Sequence, residues 1–337
     1  MATRMVGSGM VISSILKRTA PFLVLVALVG AGNSLAQVAN GFDLSGSLIP
    51  VREIRGGGPP RDGIPALNDP ARVSAGNADT WLDEDDRVIG IALGDESVAY
   101  PIRILNWHEI VNDVVGGQAV AITYCPLCGT GVVFNATISG KRTIFGVSGL
   151  LYNSDVLLFD RGTMSLFSQM MFKAVTGPLR GTKLHTLPAV TTTWGAWKQK
   201  HPATQVLSQH LPYMRDYGSD PYEFYHRSGT TMFRAKGADG SRGSKTWAWL
   251  IITGHENLLV SEETLDNLAG NEPGTYFTKS GTEILYDATA RELRAHEKGG
   301  EVLTVIPGYW FALTAFHPDA RELFPEELMT AEDGNPE

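Results

Sequence analysis

The chain matches itself, and this restricts its fold more than any single motif does. Residues 87–101 (RVIGIALGDESVAYP) and 247–261 (WAWLIITGHENLLVS) each carry an apolar, strand-like run, a Gly-containing turn and a second run. Residues 124–135 match 276–287 without a gap, and a W-x6-H-P pattern occurs at both 194–202 and 310–318. Three matched segments in one order predict two copies of one unit. The expected division is a leader over 1–36, a flexible lead-in over 37–74 and a first repeat over 75–212. A loop-rich connection over 213–243, a second repeat over 244–322 and an acidic tail over 323–337 complete it. On this alignment the second copy is the shorter, with a deletion between residues 265 and 281. The first copy carries extra length between residues 141 and 188.

The expected fold class is α+β and β-rich, because no regular strand-helix-strand alternation or glycine-rich phosphate fingerprint appears. Residues 102–115 read as a helix opened by Pro101 and stopped by Gly116-Gly117. Residues 119–124 read as a strand, CPLCGT as a turn, 131–138 as the returning strand, and 191–200 as a Trp-rich helix.

Lys17 and Arg18 precede an apolar run over 22–31 that ends at Ser34-Leu35-Ala36, the pattern of an export signal. The run is about half the roughly 20 residues that span a membrane. Cleavage near Ala36 and a periplasmic or extracellular chain with no stable membrane span are therefore expected. The net charge is −8, and losing Arg4, Lys17 and Arg18 makes the chain more acidic. With no polybasic run, it has no electrostatic means of holding nucleic acid. A metal ion or small molecule is the expected partner, and nothing in the sequence names a protein partner.

Cys125 and Cys128 are the only cysteines, three positions apart in CPLCG. This turn resembles the metal knuckle of rubredoxins and zinc ribbons. A knuckle supplies two ligands, whereas zinc or copper takes three or four. On the expected 102–115 helix, His108 and Glu109 are the nearest further ligands. Asn112 and Asp113, four residues on from each, would orient them. Position 112 is Asn, so HExxH protease chemistry is not indicated. His185, Met170 and Met171 are additional candidates, the methionines favouring Cu(I). Tyr152, Asn153, Asp155 and Gln169 are expected to wall the site with polar groups. In the second copy the same Tyr-x4-Gly-Thr pattern carries Phe277 and Ser280 in place of the cysteines, so the turn can be built without sulfur.

Two other readings compete. Cys125 and Cys128 are catalytic if the pair cycles as a thiol-disulfide oxidoreductase, although no thiol-activating helix follows the motif. A non-catalytic binding module of the cell envelope would use neither.

Taken together, YPIRILNWHEIVND, TYCPLCGTGVVF, FGVSGLLYNSDVLLFDR and FALTAFHPD resemble an exported prokaryotic family known as domain of unknown function 3179, over residues 80–322. The resemblance implies no reaction or cofactor. It places His108, Glu109, Cys125, Cys128, Asn153, Asp155 and Gln169 in the family's motif segments. The expected function is extracytoplasmic binding of copper or zinc through Cys125, Cys128 and His108, for metal handling or metal-assisted redox chemistry.

Overall fold

Apolar runs broken by tight turns set the local structure. The computed structural model describes residues 37–270 and 272–330, so the expected export signal lies outside the described residues. Strands β1 (Arg87–Leu93) and β2 (Glu96–Pro101) pair antiparallel across a turn at Gly94. Helix α1 (Ile102–His108) follows Pro101 directly and runs for two turns only. Glu109 then takes φ 57°, and residues 110–115 form strand β3 (Ile110–Val115).

The expected helix over 102–115 is thus half helix and half strand. Ile110, Val111, Val114 and Val115 are β-branched and fit a pleated sheet better than a helix. Gly116-Gly117 is a hairpin turn rather than a helix stop. Both residues have positive φ, as a two-residue turn between twisted strands requires. It leads into β4 (Gln118–Cys125), the CPLC turn and β5 (Thr130–Asn135). A long hairpin of β6 (Phe145–Tyr152) and β7 (Asp155–Asp160) follows. The first copy closes with β8 (Ala189–Thr193), α2 (Trp194–Lys200) and β9 (Gln205–Leu207). Trp194 and Trp197 of α2 are buried.

After the connection, which holds the short helix α3 (Glu223–Arg227), the second copy begins with β10 (Trp247–Ile252), β11 (Asn257–Ser261) and α4 (Glu262–Ala269). It continues with β12 (Gly274–Thr278), β13 (Glu283–Asp287) and β14 (Glu292–His296). Strand β15 (Thr304–Tyr309), helix α5 (Trp310–Phe316) and β16 (Arg321–Glu322) end it.

The matched segments fold alike. One sheet runs β8-β1-β2-β9 and its counterpart β15-β10-β11-β16, each with its last pair parallel. A second sheet runs β5-β4-β3 and its counterpart β14-β13-β12. His201 and His317 close α2 and α5 in the same way, each backbone N–H bonding the carbonyl four residues back. The hairpin β6–β7, flanked by strands Ile54–Gly56, Leu166–Ser168 and Lys173–Ala174, makes a fifth sheet, which lies largely in the extra length of the first copy.

Among the described residues the result is strand-rich, 40% strand and 15% helix, with five sheets of four or five strands in a propeller-like arrangement and two further two-stranded sheets. Short helices link strands, α2 and α5 within a blade and α1 and α4 from one blade to the next, rather than forming the helical layer that α+β implies. The lead-in supplies edge strands to three blades, Ile54–Gly56, Leu67–Asn68 and Arg72–Ser74.

This topology corrects the alignment of the two copies. Strand order equates β4–β5 with β13–β14, whereas the gapless sequence match had set β4–β5 against β12–β13. The counterpart of the CPLC turn is therefore Ala288-Thr289-Ala290-Arg291, not the turn at Lys279-Ser280-Gly281. Gly129 and Arg291 end the two equivalent turns, both with positive φ. No strand of the hairpin pair is missing from the second copy, so the inferred deletion between residues 265 and 281 is an artefact of that one-strand slip. Strands β5, β8, β14 and β15 meet around a cavity of about 220 Å3 lined by Gly131, Val133, Ala189, Leu293, Ala295 and Ile306.

Candidate metal centre

The two thiols sit where three blades press together. Cys125 ends β4 and Cys128 lies within the turn; both are free and buried, at 1% and 0% exposure. Their apolar cluster takes Val132 and Phe134 from β5, Val156 and Leu158 from β7, and Trp310 and Phe311 from the second copy. The turn is locally determined. Cys125 O accepts the amides of Cys128 and Gly129 at 3.1 and 2.8 Å, and Gly129 supplies the φ of 68° that closes it. The second copy buttresses it, with Tyr309 N–H donating to Cys128 O at 2.8 Å.

Asp155 completes the group. One ligand atom from each of Cys125, Cys128 and Asp155 lies within 4.8 Å of the others. Asp155 opens β7 at the end of a tight hairpin whose turn residues, Asn153 and Ser154, both have left-handed φ (49° and 69°). Backbone of this kind is strained for residues other than glycine and is held only where its surroundings enforce it. Asp155 Oδ2 accepts from Met170 N–H at 3.2 Å, while Oδ1 is buried with no hydrogen-bond partner.

Burial governs the charges. It pushes the Cys125 thiol up, with Cys128 partly offsetting the rise, and pushes the Cys128 thiol well up. It raises Asp155 to about 7. Glu109, 8% exposed, is pushed up to about 8 by burial and then by the negative charge of Asp155. Four acidic groups thus share one water-poor region without a cation, an arrangement that costs free energy unless protons or a metal neutralise it.

The other sequence candidates are distributed differently. His108 is fully buried but engaged elsewhere: Nδ1–H donates to Pro65 O at 2.7 Å, and Nε2 accepts from Tyr217 O–H at 2.8 Å. It is outside the three-ligand group, so the expected Cys-Cys-His set is replaced by Cys-Cys-Asp. Glu109 remains electrostatically coupled to Cys125 and Asp155.

The pairing of Asn112 with His108 on one helix face fails because Asn112 lies on β3. Its Nδ2 donates to Asn68 Oδ1 at 2.9 Å and Phe145 O at 2.8 Å, and its Oδ1 accepts from Phe145 N–H at 2.8 Å. Asn112→Ala is expected to cost about 2–4 kcal/mol, since it leaves buried backbone groups of Phe145 unpaired. Denaturant unfolding would measure the loss.

Asp113, also on β3, is spent on Arg72 and Tyr100. Tyr152 packs edge-on against Phe316, and Asn153 Oδ1 accepts Lys236 N–H at 2.9 Å. Met170 is core, in the same apolar cluster as the two cysteines, and its backbone N–H donates to Asp155; Met171 packs in a separate cluster and His185 is exposed. Gln169 is buried between Thr123 and Thr130, close to the CPLC turn.

Sequence reasoning missed the cover. Tyr225 O–H donates to Leu127 O at 2.7 Å and His226 Nε2–H to Pro126 O at 3.1 Å, pinning residues 213–243 over the turn. The Lys245 ammonium sits 3.2 Å from the Tyr225 ring centroid. It also gave Asp155 only a supporting part. A signal was present, since an Asp opening the apolar run Val156-Leu157-Leu158-Phe159 is costly unless it has a use.

No helix among the described residues is long and apolar enough to cross a membrane. No curated protein matches the chain, and no solved structure does. One family model does match, over residues 61–320, a span that takes in every residue of the cluster and nearly all of both copies. The chain therefore belongs to the family described as Protein of unknown function (DUF3179).

Proposed function

We propose that this protein is an exported metal-binding protein whose ion is held by Cys125, Cys128 and Asp155. The observation that carries the reading is the buried, partnerless Asp155 Oδ1 beside two free thiols, with all three ligand atoms within 4.8 Å. Of the two metals considered, zinc fits this donor set better. Two thiolates and a carboxylate suit Zn2+, whereas a hard carboxylate oxygen is a poor partner for Cu(I). Three protein ligands leave a fourth position, and Glu109, electrostatically coupled to Asp155 and Cys125, is our candidate to fill it. Metal handling or metal-assisted chemistry is the role in view, outside the cytoplasm if residues 1–36 act as the export signal their pattern suggests.

The thiol-disulfide reading has less support. Exchange needs an accessible thiolate, and both sulfurs are buried with their thiols favoured over thiolates. A binding module that ignores the cysteines has no comparable observation behind it.

The test is a zinc titration of the reduced protein at pH 7.5 against a chromophoric chelator. One equivalent is expected to bind, and Cys125→Ser and Cys128→Ser are each expected to weaken binding by on the order of a hundredfold or more. No uptake by the wild-type chain, or uptake unchanged in both variants, would overturn the reading.

A further inference from the structure

The cavity of about 220 Å3 where strands of the two copies meet has walls and an opening of different character. Val133, Ala295 and Ile306 are 2%, 0% and 1% exposed, so its inner walls are closed and aliphatic. Val302 is 57% exposed, and Arg294 and His201 are partly exposed, which places these three toward the opening. Folded interiors hold few voids larger than a water molecule, so an apolar space of this size is a departure that an occupant would explain.

The polar groups at the opening have bonding capacity to spare. Arg294 Nε donates to Glu292 Oε1 at 2.7 Å, and Lys200 Nζ donates to the same oxygen at 2.7 Å. One carboxylate thus serves two cations, which leaves a surplus positive charge. The Nη groups of Arg294 and both ring nitrogens of His201 have no hydrogen-bond partner among the described residues. The His201 ring lies on Trp197, with centroids 4.0 Å apart, and Trp197 Nε1 is spent on Thr204 Oγ1 at 2.9 Å. Burial, then the charges of Arg294 and Lys200, hold the His201 imidazole below its ordinary value, so near neutral pH it is uncharged with one N–H to give. A guanidinium with both Nη groups free matches a carboxylate fork to fork.

We propose that this cavity binds a small monocarboxylate, its carboxylate on Arg294 beside His201 and its apolar body between β5, β8, β14 and β15. A cavity of about 150 Å3 takes up benzene, so this one has room for an apolar body of roughly six to nine carbons. The proposal does not rest on the metal reading, since neither the two cysteines nor Asp155 lines this space.

Calorimetric titration of the full-length protein, with chelator present to exclude metals, tests it with octanoate and 1-octanol as probes. Octanoate is expected to saturate one site and to bind at least about tenfold more tightly than 1-octanol, the margin a charge-assisted contact gives. Arg294→Met keeps an aliphatic stem and is expected to erase that margin, with octanoate weakened about tenfold or more and 1-octanol within about threefold of wild type. Ala189→Leu, which fills the space from β8, is expected to weaken both probes about tenfold or more.

Octanoate that does not saturate, or that binds no better than 1-octanol, overturns the proposal. So does unchanged octanoate affinity in Arg294→Met. Unchanged affinity for both probes in Ala189→Leu puts the probe elsewhere and overturns it too. The comparison of the two probes on the wild-type chain decides even if a variant fails to fold.

Discussion

Asp155→Asn is expected to abolish tight zinc binding and, at the same time, to stabilise the metal-free protein at pH 8. The two effects have one cause. Burial holds the Asp155 carboxyl near 7, so at pH 8 it is largely ionised in a place that disfavours charge. A neutral amide of the same shape removes that burden and should add about 1–3 kcal/mol, because each unit of raised pKa corresponds to roughly 1.4 kcal/mol and the new NH2 must find partners. It also removes the hard anionic ligand, so affinity should fall by on the order of a hundredfold or more. Urea unfolding with chelator present, beside a zinc titration, measures both. If the variant is destabilised at pH 8, or binds zinc within tenfold of wild type, the carboxylate is serving the fold rather than an ion.

The metal-free protein should lose stability as pH rises from about 4 to about 8, the reverse of acid denaturation. Asp155 and Glu109 both have folded-state values above their ordinary ones, 3.8 to about 7 and 4.5 to about 8. A carboxyl raised on folding keeps its proton longer in the folded state. Its contribution is complete below the unfolded value and disappears as pH passes through the folded one. The two together are worth about several kcal/mol across that window, with coupling between them limiting the sum.

Zinc should invert the trend. Binding displaces protons from thiols and carboxyls, so affinity climbs with pH by roughly tenfold per unit for each proton released. Thermal melts between pH 5 and 8.5, with and without zinc, and with an Asp155→Asn/Glu109→Gln control, test both limbs. A wild-type curve that tracks the control through that range would show that these carboxyls carry no such penalty.

The two-thiol turn was legible because it is local. Cysteines three apart, a proline between them and a glycine able to take positive φ specify a tight turn whatever surrounds it. Duplication was legible too, since apolar runs and the W-x6-H-P pattern survive in both copies. The slip of one strand arose because Tyr-x4-Gly-Thr resembles the wrong hairpin, and strand order, not residue identity, shows which hairpins correspond. The conclusion drawn from it holds in the corrected register, because Ala288–Arg291 carries no sulfur either.

By itself, then, the sequence determined the two-thiol turn, the repeated strand-rich unit and the acidic, polybasic-free character of the chain. All of these rest on contacts within a few residues or on composition. What completes the site was decided by tertiary structure. His108 lies on the segment leading toward the cysteines, yet Pro65 and Tyr217, distant in sequence, claim both its nitrogens. Asp155 lies 27 residues beyond Cys128 and reaches it only because the β6–β7 blade packs against the β4–β5 blade. Ligand sets of this kind are chosen by which sheet faces meet, and packing between blades depends on the summed burial of many apolar side chains rather than on the spacing of any motif.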